Sequence, residues 1–138
     1  MEVVAAVIER DGRVLICQRK SGGKHALKWE FPGGKVEPGE ESASALAREL
    51  REELQIEATM GPLIHTETVQ YSNGPPIRLQ FYQVTEFSGE PVNVEFEQIN
   101  WEDPAYLSGY DFLEGDIEFV RKLAAGDSQQ NVVWKRSQ

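Results

Sequence analysis

The stretch Gly34–Glu57, GKVEPGEESASALARELREELQIE, constrains this chain more than any other part of it. Its apolar residues Ala43, Leu46, Ala47, Leu50 and Leu54 recur at helical spacing, so a helix here has one face that must be buried. On that helix Glu49, Glu52 and Glu53 are related by i,i+3 and i,i+4 and share a face. Adjacent like charges at those spacings weaken an isolated helix by a few tenths of a kcal/mol per pair. Hard divalent cations such as Mg²⁺ take oxygen ligands of this kind and leave room for water and substrate phosphates. The acids therefore read as a metal platform or, on the blander account, as a solvated face. The preceding segment Glu30–Glu40, EFPGGKVEPGE, weighs toward the platform. Its Pro-Gly-Gly and Pro-Gly turns deliver the chain to a helix N-terminus, where backbone N–H groups favour anions. Ser42 is the expected N-cap, with Glu41 competing.

The charged positions have a fixed spacing that is similar to the Nudix hydrolase signature, G-x5-E-x7-R-E-U-x-E-E-x-G-U with U aliphatic. Gly34, Glu40, Arg48, Glu49, Leu50, Glu52, Glu53 and Ile56 fit it, and Gln55 stands where the pattern has Gly. A non-Gly residue at a left-handed helix terminus costs roughly 1 kcal/mol, so either Gln55 accepts that conformation or the helix ends by another route. VVAAVIERDGRVLICQRK and WEFPGGKVEPGE further resemble the opening of MutT-like nucleoside triphosphate pyrophosphohydrolases, particularly the bacterial CTP-pyrophosphohydrolase-like branch. The likeness covers residues 2–125.

The resemblance implies an α/β fold: the Nudix α/β/α sandwich, a mixed sheet with the acid-bearing helix and a C-terminal helix. It implies a domain over residues 1–126 and leaves 127–138 as a tail of unassigned role, frayed or docking through Val132-Val133-Trp134. It also implies roles. Glu49, Glu52 and Glu53 become ligands of Mg²⁺ (or Mn²⁺), joined by the backbone carbonyl of Gly33. Glu40 supports the site, and Arg48 orients the acids, an ordinary surface ion pair being the alternative. Arg19 and Lys35 become phosphate grips. A distal glutamate before a Trp binds metal or takes a proton from the attacking water. Glu95 and Glu97 both qualify, and the spacing of Glu95 from Trp101 favours it. Phe31 and Phe81 are candidate base stackers. Asp116 aligns with a base-reading position, where an ionised carboxylate only accepts hydrogen bonds; helix capping is the equal alternative. His25 and His65 lack metal-ligand spacing and read as loop or surface residues.

The implied reaction is hydrolysis of a nucleoside triphosphate to monophosphate and pyrophosphate. Other nucleoside diphosphate derivatives, such as ADP-ribose or a dinucleoside polyphosphate, are the rival substrates. A non-catalytic nucleotide sensor is the rival outside enzymology, and the intact acids argue against it.

The remaining sequence fits a small enzyme. At 138 residues with 40% hydrophobic content the chain suits one domain, and a net charge of −9 leaves no basic stripe for a nucleic-acid polymer. No apolar run is long enough for a membrane span, and Met1–Gly12 lacks the basic start of a signal peptide. The single cysteine, Cys17, sits among apolar residues as a structural thiol and fits a reducing cytoplasm. Monomer and homodimer are both compatible. Val3–Ile8 and Arg13–Arg19 flank Asp11-Gly12 as a hairpin, with a polar loop over 20–28 and a short strand Trp29–Phe31 after it. Strands are expected between Ile56 and Tyr71, over Ile77–Phe87, and over Val92–Trp101. A second helix is expected over Asp116–Ala125, with Ile117, Val120, Leu123 and Ala124 on its apolar face.

Overall fold

The computed structural model describes residues 1–126; the tail lies outside the described residues. Strand β1 (Glu2–Arg10) is the organising element. Asp11 and Gly12, both with positive φ, turn it into β2 (Arg13–Gln18), the two-residue hairpin that the sequence announces. Near its start β1 also pairs antiparallel with β4 (Gly33–Lys35), and along its other edge it runs parallel to β7 (Ile77–Val84). β3 (Trp29–Glu30) and β9 (Gln98–Glu102) flank β2, while β6 (Leu63–Val69) closes the far edge on β7. β5 (Glu57–Thr59) and β8 (Glu86–Ser88) form a separate pair.

Period-two alternation divides the core. Val4, Ala6, Ile8, Leu15 and Cys17 face α1 (Ser42–Leu54), which answers with Ala45, Leu46, Leu50 and Leu54. Ala5, Val7, Val14, Ile16, Leu79 and Phe81 face the other way, onto Phe119, Val120 and Leu123 of α2 (Ile117–Ala125). Because β1 is covered on both faces, its sequence is a continuous apolar run rather than an alternating one. The layers are helix, sheet, helix, as the resemblance implies.

Local departures from expectation have physical causes. The N-cap of α1 is Glu41, without a side-chain bond; the Ser42 hydroxyl instead accepts from Gln80 Nε2 at 3.2 Å. Gln80 also donates to Glu2 Oε1 at 2.7 Å, which lets a buried amide sit under the helix start. Only the end of Val92–Trp101 is a strand. Asn93 turns back on itself, its Oδ1 accepting from the Phe96 N–H at 2.8 Å, and Val92 and Val94 donate to carbonyls of Leu54 and Glu53. The expected Ile77–Phe87 strand divides at Thr85 into β7 and β8. On α2 it is Phe119, not the half-exposed Ile117, that completes the buried face. His65 is not a surface residue: on β6 its ring stacks on Phe119 at 5.1 Å and bonds Glu67 at 2.9 Å. His25 does lie in a loop. Cys17 is buried, and burial pushes its thiol pKa well up, as for a structural cysteine.

Gln55 takes the left-handed conformation, φ 58° and ψ 38°, and its N–H donates to the Arg51 carbonyl. The missing box glycine is thus replaced by a strained residue, not by a different helix end. Gln55→Gly is expected to stabilise the fold by roughly 1 kcal/mol, raising the thermal midpoint by ~3–5 °C, as read by calorimetry.

Candidate active site

The acid face of α1 meets the chain entering it. Gly33 lies so close to β1 that a Cβ there would stand 1.9 Å from the Val4 carbonyl oxygen, and one on Gly34 would stand 2.4 Å from the Glu49 carboxyl carbon. Backbone therefore rests directly on carboxylates, and the Gly33 N–H donates to Glu53 Oε1 at 3.2 Å.

Arg48 ties the acids together. Its Nε and Nη2 make a bidentate pair with Glu40 at 2.8 and 3.0 Å, and its Nη1 reaches Glu49 at 3.2 Å and Glu52 at 3.4 Å. Nη2 also donates to the Lys35 carbonyl at 3.3 Å, joining the helix to β4. The guanidinium bonds, with the Glu37 N–H, hold Glu40 down at about 2. An isolated surface pair, the alternative left open for Arg48, does not describe this network.

Glu53 is the opposite case. It is 7% exposed, and burial first, then the charges of Glu49, Glu95 and Glu30, push its pKa up to about 10. Glu49 shares a hydrogen bond with it and is itself raised, chiefly by burial. Among the described residues no three acidic, His or Cys side chains stand ready around one point. Glu52, 58% exposed at its side chain, is drawn aside by Arg48 and would have to turn inward to join Glu49 and Glu53. The donor set nevertheless suits a hard divalent cation: the donors are oxygens, and the most buried carboxyl has like charges around it.

Two cavities adjoin this cluster. A smaller one, about 260 Å³, is lined by Glu53, Glu95, Arg19, Lys20 and Lys24. Glu95 thus faces Glu53, whereas Glu97 is outside that lining and engages Gln18 through its backbone N–H. The larger, about 460 Å³, shares Arg19 and Lys24 and extends past Glu30, Phe31 and Lys35 to Asp116. Arg19 pairs with Glu30 at 3.2 Å.

The aromatic expectations divide. Phe31 packs in the core yet contributes to the larger cavity's wall. Phe81 does not: it is fully buried between Phe119 at 4.5 Å and Phe31 at 6.0 Å, and it stacks on core rings rather than on a ligand. Asp116 occupies the N-cap position of α2 without making a capping bond. Its carboxyl accepts from the Phe31 N–H, and burial, then Glu30, push it up to about 8. Burial thus favours its neutral form, in which the carboxyl can donate as well as accept.

Sequence reading passed over Glu30, Lys24 and Tyr71 and gave His25 only a place in a loop, yet all four line the larger cavity. Glu30 had a signal, an acid between two buried aromatics on a short strand. The others sit in loops whose spacing carries no information.

A family model described as the NUDIX domain matches residues 1–123 of the chain. The chain belongs to the Nudix family. Among Nudix proteins it is 42% identical over 125 residues to the CTP pyrophosphohydrolase of Escherichia coli K12, covering 91% of this chain and 92% of that one. It is 33% identical to the 8-oxo-dGTP diphosphatase of Haemophilus influenzae, covering 89% and 90%. The solution structure of the E. coli ORF135 protein superposes with a TM-score of 0.81 at 41% identity, covering 91% of this chain and 89% of that one. This chain is accordingly a Nudix hydrolase of MutT-like type, and Nudix hydrolases generally need divalent metal ions.

The buried acids make metal-free stability depend on pH. Glu53 titrates higher in the fold, at about 10, than in the unfolded chain, so the fold holds a proton that the unfolded chain has released above pH 4.5. Its contribution is full below that pH and is lost as pH rises toward 10. In a chelator, Glu53→Gln is expected to raise the thermal midpoint at pH 8–9 and to flatten its pH dependence above pH 5 in calorimetric scans.

Proposed function

We propose that this Nudix hydrolase cleaves a nucleoside triphosphate, normal or base-modified, to a nucleoside monophosphate and pyrophosphate in the presence of Mg²⁺, with Mn²⁺ as a substitute. The observation that carries the reading is continuity. A Glu49–Glu53 cluster anchored on Gly33 passes, through Arg19 and Lys24, into a part-apolar cavity that reaches a buried carboxyl at Asp116. Phosphates suit the charged part, and a base suits the apolar part. The names of the relatives, a CTP pyrophosphohydrolase and an 8-oxo-dGTP diphosphatase, support the same substrate class.

Glu49, Glu52 and Glu53, with the Gly33 carbonyl, would hold the cation. A bound divalent cation supplies neutralisation of phosphate charge and activation of water at neutral pH. Arg19 and Lys35 grip phosphate oxygens, and Lys24 joins them from the 20–28 loop. Glu95, exposed on its loop and facing Glu53, accepts the proton of the attacking water. Arg48 and Glu40 position the acids through the bidentate pair. Phe31 walls the base site. Asp116, protonated, offers one donor and one acceptor to the base edge.

With a panel of normal and oxidised nucleoside triphosphates, ADP-ribose and a dinucleoside polyphosphate, the expected products are monophosphate and pyrophosphate from triphosphates. Glu53→Gln should lower kcat by about 100-fold or more in the same assay. Turnover of ADP-ribose or the dinucleotide alone would refute the substrate class, and nucleotide binding without turnover would refute catalysis.

Asp116 gives a second test. Below pH 8 its neutral carboxyl donates to the base, and above that value it ionises and the donor is lost. The KM of the preferred nucleotide should rise from pH 7 to pH 9 in the wild type. In Asp116→Asn, whose amide keeps a donor throughout, the KM should stay level across that range.

A further inference from the structure

Tyr71 stands where three otherwise separate loops meet. Its hydroxyl accepts from the Gly115 N–H at 3.0 Å, one residue before Asp116. Its ring meets the His25 ring at 5.1 Å, tilted by 50°, so it also touches the 20–28 loop. Its own turn is bonded internally: the Gly74 N–H donates to the Tyr71 carbonyl at 2.9 Å, and Gln70 Nε2 donates to the Gly74 carbonyl at 2.7 Å. Tyr71, His25 and Asp116 all line the larger cavity together with Phe31. A side chain at Gly115 would crowd the same corner, because a Cβ there would stand 2.8 Å from Leu79 Cδ1 and 3.0 Å from the Tyr71 hydroxyl.

We propose that Tyr71 is the residue that sets base selectivity in this site, as a fixed wall limiting the size of the base and as a tether that positions Asp116. The proposal rests on the nucleotide reading above. A ring bonded at its hydroxyl and packed against a second ring is not free to swing over an incoming base. It therefore marks the end of the space rather than stacking on its occupant. The same hydroxyl satisfies the N–H of buried Gly115, and that bond fixes the backbone from which the Asp116 carboxyl projects.

The two roles separate by substitution. Tyr71→Phe keeps the wall and removes the bond; Tyr71→Ala removes both. The probes are CMP and GMP, titrated calorimetrically into metal-free protein, and CTP and GTP, assayed with Mg²⁺. Tyr71→Phe should weaken both monophosphates alike by roughly 3–10-fold, the range of one lost hydrogen bond, and raise KM more than it lowers kcat. Tyr71→Ala should in addition raise the GMP:CMP affinity ratio, and the GTP:CTP ratio of kcat/KM, by about 10-fold. A purely structural residue would weaken both bases equally in both variants. A ratio in Tyr71→Ala within about twofold of wild type therefore overturns the wall, and wild-type affinity in Tyr71→Phe overturns the tether. Should Tyr71→Ala fail to fold, His25→Ala substitutes for it, since it removes the ring that backs the wall, with the same ratio expected to rise. If the wild type binds the monophosphates but cleaves no triphosphate, the proposed reaction falls while the affinity ratio still decides the role of Tyr71. Failure of the wild type to bind either monophosphate overturns both.

Discussion

The site depends on two missing side chains. At Gly33 and Gly34 the backbone of β4 lies against the Val4 carbonyl on one side and the Glu49 carboxyl on the other, with no space for even a methyl group. That contact brings sheet and helix to the distance at which an N–H can bond the Glu53 carboxyl. Widening it by one carbon would separate β4 from β1, lift α1, and release the acids from the main chain that orders them. Phosphorus chemistry asks for charged groups held in place before the substrate arrives, and here the holding is done by backbone.

Holding acids this way has an energetic cost, and the rest of α1 offsets it. Leu46, Leu50 and Leu54 are fully buried on the packed face that Glu53 shares, each contributing on the order of 2 kcal/mol of burial. Arg48 takes up the outer carboxylates of Glu40, Glu49 and Glu52, and Glu53 remains the uncompensated member. The apolar residues that stabilise the helix thus flank the liability it carries, as expected where a functional site sits on a scaffold. The left-handed Gln55 adds a further strained residue at the end of the same helix.

How much of this could be read beforehand depended on whether a residue acts through its neighbours in sequence or through its neighbours in space. The acid helix, the Asp11-Gly12 hairpin and the apolar stripe follow local periodicity and appear where the pattern puts them. Phe81 shows the limit of such patterns. Alternation on β7 gives the face it occupies, but whether that face meets a ligand or Phe119 is decided by where α2 returns, and no local signal encodes that. Glu95 and Glu97 differ by a single turn made by Asn93, which sends one acid toward Glu53 and leaves the other outside. The raised pKa of Asp116 is less legible still, because it comes from burial and from the charge of Glu30, both set by the fold. His25 and Tyr71 meet across loops that share no pattern at all.

The parallel pairing of β1 with β7 also has a history in time. Its bonded partners Glu2 and Arg78 are 76 positions apart, so at ordinary rates of synthesis the first strand is made roughly 4–15 s before its parallel neighbour. During that interval the run Val3–Ile8 has β2, β4 and then α1 to pack on, while the edge that β7 will occupy stays open. The segment that organises the finished molecule is thus completed only when β7 has been made. Closing so long a loop carries an entropic cost that must be met before the parallel pairing rewards it.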